Sequence, residues 1–333
     1  MTVRTGGLPP GAFEFPLVGP GGEPIHFWRT CTSHGLTELP PMRLDAASRV
    51  LEMTLPVNGG RPRLIQIAEG RAGFGAVKIL GPAPGPRVVE RAVAAVRHVL
   101  RLDEPLAEFY ALTAEDAELA WARTGAGRLI RSPTVFEDVV KTICTTNCSW
   151  ALTRRMVTAL VEHLGERAPG APARGWIGRT FPTAAAMAAA RPSFYRKVVR
   201  AGYRGPYLRS LARGVARGDV DLERLGRAPG TPGALPDDKV AERLLELPGV
   251  GPYAAAHIMM LLGRYSRLVF DSWTRPAFAR LSGRRQQVKD RTIERRFRPY
   301  GRYAGLAFWL YLTRHWVEDQ ASIEQGAPPT QRT

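Results

Sequence analysis

The sequence predicts an α+β N-terminal domain followed by a mostly α-helical domain. Short apolar segments separated by Gly and Pro fill residues 13–80 and alternate with polar positions, as strands do. From residue 102 onward, apolar residues recur at three- and four-residue intervals, which is the period of an amphipathic helix. We place the N-terminal domain at residues 1–105, the helical domain at 106–320 and a polar tail at 321–333.

Five strands and one helix are predicted in the N-terminal domain. The best-supported strands contain VLEMTLPV and RLIQIAEG, which alternate in polarity and have turn residues between them. The helix spans residues 87–100, where RVVERAVAAVRHVL is apolar along one face. The predicted strands are Phe13–Leu17, His26–Thr30, Ala47–Leu55, Arg63–Glu69 and Gly75–Leu80.

The helical domain is predicted to consist of helices separated by Gly- and Pro-rich turns. Thr113 is expected to cap a helix with Glu115 and Asp116 in its first turn, where a hydroxyl and carboxylates are favourable. Besides a central hairpin, the other main predicted helices are Val135–Thr145, Trp150–Leu164, Thr183–Ala190, Ser193–Val199, Leu208–Arg217, Arg275–Leu281, Asp290–Phe297 and Leu306–Trp316.

Residues 237–263 are predicted to form a helix, a tight turn and a second helix. The sequence Pro-Gly-Val-Gly-Pro at 248–252 ends the first helix, because Gly249 and Gly251 allow backbone angles that side chains forbid. Free N–H groups at the start of the second helix favour binding of an anion such as phosphate. A plain pair of helices joined by a Gly-rich turn is the alternative interpretation.

The charge of the chain indicates a polyanionic partner. Its 333 residues include 47 Lys and Arg against 30 Asp and Glu, which gives a formal net charge of +17. Such an excess in a folded chain favours nucleic acid as the partner. A GC-rich genome, which enriches proteins in Arg, is an alternative source of part of the positive charge. The three cysteines, Cys31, Cys144 and Cys148, show no disulfide pattern and are too few for a four-cysteine iron–sulfur cluster.

Asp271 adds a second motif to the hairpin. It follows the apolar run 268–270 and lies 18 positions after Tyr253, near the start of the second hairpin helix. A hairpin L-P-G-V-G with an Asp at this distance resembles the helix-hairpin-helix (HhH-GPD) superfamily of DNA glycosylases. Three further stretches resemble family motifs in the same order and extend the match over roughly residues 130–316: FEDVVKTICTTNCSWALTRRMVTALVEHLG, AGYRGPYLRSLA and YGRYAGLAFWLYLTRHW.

The resemblance implies a two-lobed helical glycosylase domain. The N-terminal α+β domain is similar to that of the 3-methyladenine DNA glycosylase II and 8-oxoguanine glycosylase branches. Asp271 matches the family's catalytic Asp, whose carboxylate stabilises an oxocarbenium-like sugar and helps to activate water, and a second role as a helix cap is compatible. Bifunctional members have a catalytic Lys where this chain has Tyr253, and tyrosine cannot form an imine.

The function implied by the resemblance is therefore that of a monofunctional DNA glycosylase. It would release a damaged, alkylated purine from duplex DNA and leave an abasic site. A glycosylase for oxidised or deaminated bases and a non-catalytic DNA-binding protein remain alternatives. We expect double-stranded DNA containing a damaged base as the partner, and a monomer. Because no signal peptide or long apolar run is found, we also expect no membrane partner and a cytoplasmic location. The protein is expected to be DNA-associated and bacterial.

The resemblance also implies a base pocket and a DNA-binding surface. Asn147 matches the residue that fills the gap left by a flipped nucleotide, although an Asn satisfying a helix end is the alternative. Aromatic walls suit electron-poor methylated purines, although each aromatic residue also suits a core position. The candidate pocket residues are Tyr253, His257, Trp273, Phe308 and Trp150, with Trp309 and Tyr311 as further aromatic candidates. The candidate DNA-binding residues are Leu247, Gly249, Val250, Gly251, Thr146, Asn147, Arg204, Lys239 and Arg275.

A hairpin cation is the only cofactor that the resemblance implies. In family members, backbone carbonyls of the hairpin hold a monovalent cation that bridges to phosphate. The matching carbonyls belong to Leu245, Leu247 and Val250. No cofactor is expected to be required for catalysis, and no iron–sulfur cluster is expected.

Overall fold

The fold has the predicted class, an α+β N-terminal domain followed by a mostly helical domain. The computed structural model describes residues 4–57, 60–284, 286 and 288–316. The expected polar tail, 321–333, and the last residues of the expected helical domain, 317–320, lie outside the described residues. Within the described part, no helix is both long enough and apolar enough to cross a membrane.

A five-stranded antiparallel sheet forms the N-terminal domain. The spatial order is β1-β5-β4-β3-β2, and the strands are β1 Ala12–Pro16, β2 Met42–Asp45, β3 Val50–Val57, β4 Gly60–Glu69 and β5 Phe74–Ile79. Met53, Ile65 and Ile79 lie side by side in register and are buried. Helix α1 spans Phe27–Cys31, and helix α2, Pro86–Val99, packs its apolar face into the same core.

Two predictions for local structure are wrong. Residues 26–30 are not a strand, because the His26 side chain accepts a hydrogen bond from Arg29 N–H at 3.3 Å and caps helix α1, Phe27–Cys31. Thr113 is the last residue of α3, Ala107–Thr113, rather than the cap of a following helix. Its hydroxyl donates to the Tyr110 carbonyl, which satisfies the end of α3 instead.

The helical part contains two hydrophobic cores that share one helix. The helices are α4 Val135–Thr145, α5 Trp150–Leu164, α6 Ala184–Ala189, α7 Pro192–Lys197, α8 Arg204–Arg217, α9 Leu222–Leu225, α10 Asp237–Leu245, α11 Pro252–Leu261, α12 Thr274–Leu281, α13 Asp290–Phe297 and α14 Ala304–Thr313. Helix α11 contributes Ile258 to the core formed with α4, α5 and α8, and Met260 to the core formed with α12–α14. The hairpin and Asp271 therefore lie between two lobes.

Candidate active site

The hairpin forms the predicted helix, turn and helix. Gly249 has a φ of +82°, and a Cβ built there would lie 2.9 Å from Tyr207 Cδ2, so both conformation and space require glycine. Gly251 precedes α11 and no side chain caps this helix, which leaves N–H groups available for an anion. The phosphate contact itself stays a prediction.

Backbone groups of the turn, rather than its side chains, are available for contacts with a partner. The Leu247 and Val250 side chains are buried in the core between α4, α5 and α11, so only their peptide groups remain for DNA. Among the carbonyls proposed for a cation, that of Leu247 accepts the Val250 N–H at 3.1 Å. The cation stays a prediction.

The Asp271 carboxylate is held at the beginning of α12. Its Oδ1 accepts hydrogen bonds from the N–H groups of Trp273, at 2.8 Å, and Thr274, at 2.6 Å. The Thr274 hydroxyl in turn accepts the Asp271 N–H at 2.9 Å. Among the described residues, Oδ2 has no hydrogen-bond partner. One oxygen therefore caps the helix while the other remains free for chemistry, so the two predicted roles are compatible.

Asp271 lies in a cavity of about 920 Å³ where both lobes meet the N-terminal domain. The structure brings most of the candidate residues to this cavity. Those lining it are Thr146, Asn147, Trp150, Gly249, Gly251, Tyr253, His257, Trp273 and Trp309. The rings of Trp273 and Trp309 lie 5.8 Å apart at 56° and form one aromatic wall.

Two of the candidate aromatic residues do not line the cavity. Phe308 is 1% exposed and packs against Phe270 and Phe297 in the core, with ring centroids 5.7 and 5.2 Å away. Tyr311 is buried in the same core and packs against Phe297. Adjacent helix residues point in directions about 100° apart, so Trp309 faces the cavity where Phe308 cannot. The pocket assignments of Phe308 and Tyr311 are wrong.

The break between α4 and α5 presents Asn147 to solvent. Asn147 has a φ of +46°, and its Nδ2 lies 3.4 Å from the Tyr203 hydroxyl. The helix ends are satisfied by other groups: Ser149 Oγ caps α5, and the Thr146 carbonyl accepts the Arg204 guanidinium. The Asn147 side chain is thus available to enter a gap in a duplex.

The three candidate basic residues have internal partners. Arg204 is 4% exposed, donates from Nε to the Thr146 carbonyl at 3.0 Å and stacks on Tyr203, so its proposed phosphate contact is wrong. Arg275 forms a bidentate pair with Asp290, at 2.8 and 2.9 Å, outside the cavity. Exposed Lys239 pairs with Glu242 at 2.7 Å. Phosphate contacts of Arg275 and Lys239 stay predictions.

The N-terminal domain supplies a wall of the cavity that the sequence did not indicate. His34 Nε2 lies 2.8 Å from His257 Nε2. Trp150 Nε1 donates to Glu38 Oε2 at 2.7 Å, and Trp309 Nε1 donates to the Ser33 carbonyl at 2.9 Å. These contacts join positions more than one hundred residues apart, so no local pattern could have indicated them.

Lys141 is another residue of the cavity that the sequence did not indicate. It lines the same cavity, but its side chain is 0% exposed and Nζ lies 2.6 Å from Glu137 Oε1. Burial raises the pKa of Glu137, an effect that the Lys141 ammonium opposes. This pairing holds the amine away from reactive chemistry.

Burial also determines the charge of the cavity wall. It lowers the pKa of His257 to about 4, an effect that nearby Asp271 only partly opposes. It lowers the pKa of His34 well below the ordinary value, and His257 and Lys141 lower it further. Both imidazoles are therefore neutral at neutral pH. Burial raises the pKa of Tyr253, which keeps its hydroxyl protonated.

The architecture and the hairpin–Asp pair define the fold of the helix-hairpin-helix DNA glycosylases, as the motifs predicted. The chain is similar to the 3-methyladenine DNA glycosylase from Archaeoglobus fulgidus, with a TM-score of 0.66 and 20% identity over 91% of this chain and 99% of that one. It is also similar to MBOgg1 in complex with a low-affinity DNA ligand, with a TM-score of 0.70 and 15% identity over 95% and 99%.

A third similar structure is the 8-oxoguanine glycosylase/lyase of Clostridium acetobutylicum in its apo form. The TM-score is 0.61 and the identity is 18%, over 91% of this chain and 96% of that one. No protein-family model matches the sequence, and no curated protein matches it by sequence. At these identities the likeness establishes the fold.

Proposed function

We propose that this protein is a DNA glycosylase that hydrolyses the N-glycosidic bond of a damaged base in duplex DNA. The observation that carries the proposal is the Asp271 carboxylate, with one oxygen fixed at a helix start and the other free in a cavity of about 920 Å³, which is large enough to admit a base. The adjoining hairpin with its free N–H groups and the net charge of +17 support binding of DNA. The similar solved structures include glycosylases.

The reaction follows from the position of the carboxylate. As the bond between sugar and base breaks, its electron pair leaves with the base and positive charge develops on the sugar. Asp271 Oδ2 stabilises that charge and orients a water molecule, which adds to C1′ and transfers its proton to the Asp271 carboxylate. Asn147 fills the gap in the duplex while the base occupies the cavity.

The proposed activity is monofunctional and leaves an abasic site. Tyr253 stands where a lyase needs an amine, and its hydroxyl cannot form an imine. Lys141 supplies the one amine among the described residues that line the cavity, and it is buried and paired with Glu137. Neither residue supports attack on the sugar.

Alkylated purines are the substrates that the cavity favours. The indole rings of Trp150, Trp273, Trp309 and Trp316 line it and suit a cationic base. A base alkylated at N7 or N3 carries a positive charge and leaves as a neutral molecule, so it needs no proton donor. The neutral histidines and the raised pKa of Tyr253 agree with a site that supplies none.

The test is chromatography of free bases released from randomly methylated duplex DNA, with undamaged DNA as the control. We expect release of 3-methyladenine or 7-methylguanine and none from undamaged DNA. Release only from oxidised or deaminated duplexes would retain the glycosylase activity and refute the alkylpurine specificity. If no base is released from any of these substrates while DNA binding is retained, a DNA-binding protein without catalytic activity would be favoured.

A further inference from the structure

Arginine side chains line a groove between α7 and α8, separate from the cavity that contains Asp271. The groove has a volume of about 560 Å³. Its charged lining residues are Arg196 on α7 and Arg209, Arg213 and Arg217 on α8, and none of the described residues that line it is acidic. A groove whose lining carries positive charge alone favours an anionic partner.

The two helices hold these side chains in a defined place. A Cβ built at Gly205 of α8 would lie 3.1 Å from Tyr195 Cβ of α7, so the helices approach closely. Arg209 Nε donates to the Ala190 carbonyl at the end of α6, at 3.2 Å. Burial raises the pKa of Tyr195 to about 12, and the charges of Arg209 and Arg213 oppose that increase, so both guanidinium groups lie near the Tyr195 hydroxyl.

Two of the four guanidinium groups are available to a partner. Arg196 and Arg213 are exposed, and among the described residues neither has an ion pair or a side-chain hydrogen bond. Arg217, by contrast, pairs with Asp219 at 2.7 Å. An unpaired guanidinium retains its full charge and the donors that bind phosphate oxygens.

The groove adjoins the surface that would contact an opened duplex. The hydroxyl of Tyr203, the residue before α8, lies 3.4 Å from Asn147 Nδ2, and Tyr207 packs against Gly249 of the hairpin. Consecutive helix residues differ by about 100° in direction, so the arginine face of α8 lies about a quarter turn from its tyrosine face. The 14 residues of α8 extend about 21 Å, the length of about six base pairs.

We propose that the α7–α8 groove binds backbone phosphates of the DNA on one side of the damaged base. The guanidinium groups donate to phosphate oxygens, which positions the duplex without reading its sequence. This inference rests on the proposed function, because Asn147 in the gap sets the register of the duplex along α8. An acidic protein would suit the same charge, but the position of the groove beside Asn147 and the hairpin favours DNA.

The first test is the salt dependence of binding to an undamaged duplex of about 30 base pairs, measured by fluorescence anisotropy. In Arg196→Gln/Arg213→Gln, loss of two phosphate contacts should reduce the slope of log affinity against log salt by about 1.8. Arg196→Lys/Arg213→Lys retains both charges and should retain the slope. The matched control, Arg61→Gln/Arg87→Gln, removes two exposed charges from the N-terminal domain and should leave the slope unchanged.

A second measurement locates the contact on the DNA. A stable abasic analogue fixes the register in two duplexes, which have about ten base pairs on one side of the analogue and about three on the other, in opposite arrangements. Relative to the parent, Arg196→Gln/Arg213→Gln should lose affinity for one arrangement only. Circular dichroism and thermal melting establish that each variant has folded.

An unchanged salt slope, or an equal loss for both arrangements, overturns the proposal. If the slope is unchanged while the parent releases damaged bases, the proposed function stands and the groove belongs to another partner, such as an acidic protein. If the parent releases no base while the double variant shows the reduced slope and the one-sided loss, the proposed function fails and the phosphate contact stands.

Discussion

The charge of Asp271 is separable from its role as a helix cap. In Asp271→Asn, the amide oxygen can still accept the Trp273 and Thr274 N–H groups that Oδ1 accepts now, at 2.8 and 2.6 Å. Asn and Asp are nearly equivalent as caps. The substitution therefore removes the charge from the free oxygen and leaves the start of α12 intact, so the melting temperature should stay close to that of the parent.

The expected loss of rate in Asp271→Asn can be calculated from Coulomb's law. A carboxylate about 4 Å from a sugar cation, at an effective dielectric constant of 20, stabilises the cation by about 4 kcal/mol. Each 1.36 kcal/mol of barrier changes the rate about tenfold, so the rate should fall about 10³-fold. Affinity for duplex DNA should change little, because the cation exists only as the bond breaks.

The assay is single-turnover base release from methylated duplex DNA, combined with fluorescence anisotropy for binding. Asp238→Asn is a matched control, because it removes the same charge from an exposed pair with Arg267 at the start of α10. It should release base at nearly the parental rate. If Asp271→Asn keeps more than a tenth of parental activity, or loses binding in parallel with rate, the assigned mechanism is wrong.

Four further outcomes follow from the structure. Borohydride should trap no covalent adduct between the parent and damaged DNA, because Tyr253 offers no amine; a robust adduct would establish lyase chemistry. Gly249→Ala should lower stability by about 1–2 kcal/mol in a denaturant titration, because the residue has a φ of +82° and its Cβ would meet Tyr207; an unchanged midpoint would contradict this. Asn147→Ala should slow base release more than it weakens binding to undamaged duplex, whereas equal losses would assign Asn147 to general DNA contact. Stability should fall as pH drops from 6.5 towards 4, because the folded pKa of His257 is about 4 and the unfolded chain binds the proton first; a smaller acid loss in His257→Phe checks the assignment.

Local pattern was sufficient for the parts of the site that lie on one stretch of chain. The bounds predicted for the helices at 135–145 and 150–164 agree with the structure, because Thr134 and Ser149 are strong caps on clear apolar periods. The hairpin follows from the helix-breaking properties of two glycines and two prolines. The two hydrogen bonds to Asp271 Oδ1 follow from its place three residues before α12.

Local pattern failed where the direction of a side chain is set by distant contacts. All ten residues of α14 are buried, so its periodicity does not distinguish a cavity face from a core face, and Phe308 was assigned to the cavity in error. The direction of Trp309 is set by its indole N–H, because a buried N–H needs an acceptor. The acceptor is the Ser33 carbonyl, 276 positions away in the sequence. The contact between His34 Nε2 and His257 Nε2 likewise joins residues 223 positions apart, so local pattern does not predict it. The hairpin and Asp271 each lie on one stretch of chain, whereas the cavity wall at His34, His257 and Trp309 is built by contacts between the N-terminal domain and the helical domain. Under the proposed function, the choice of base therefore depends on contacts between distant parts of the chain, which no local motif predicts.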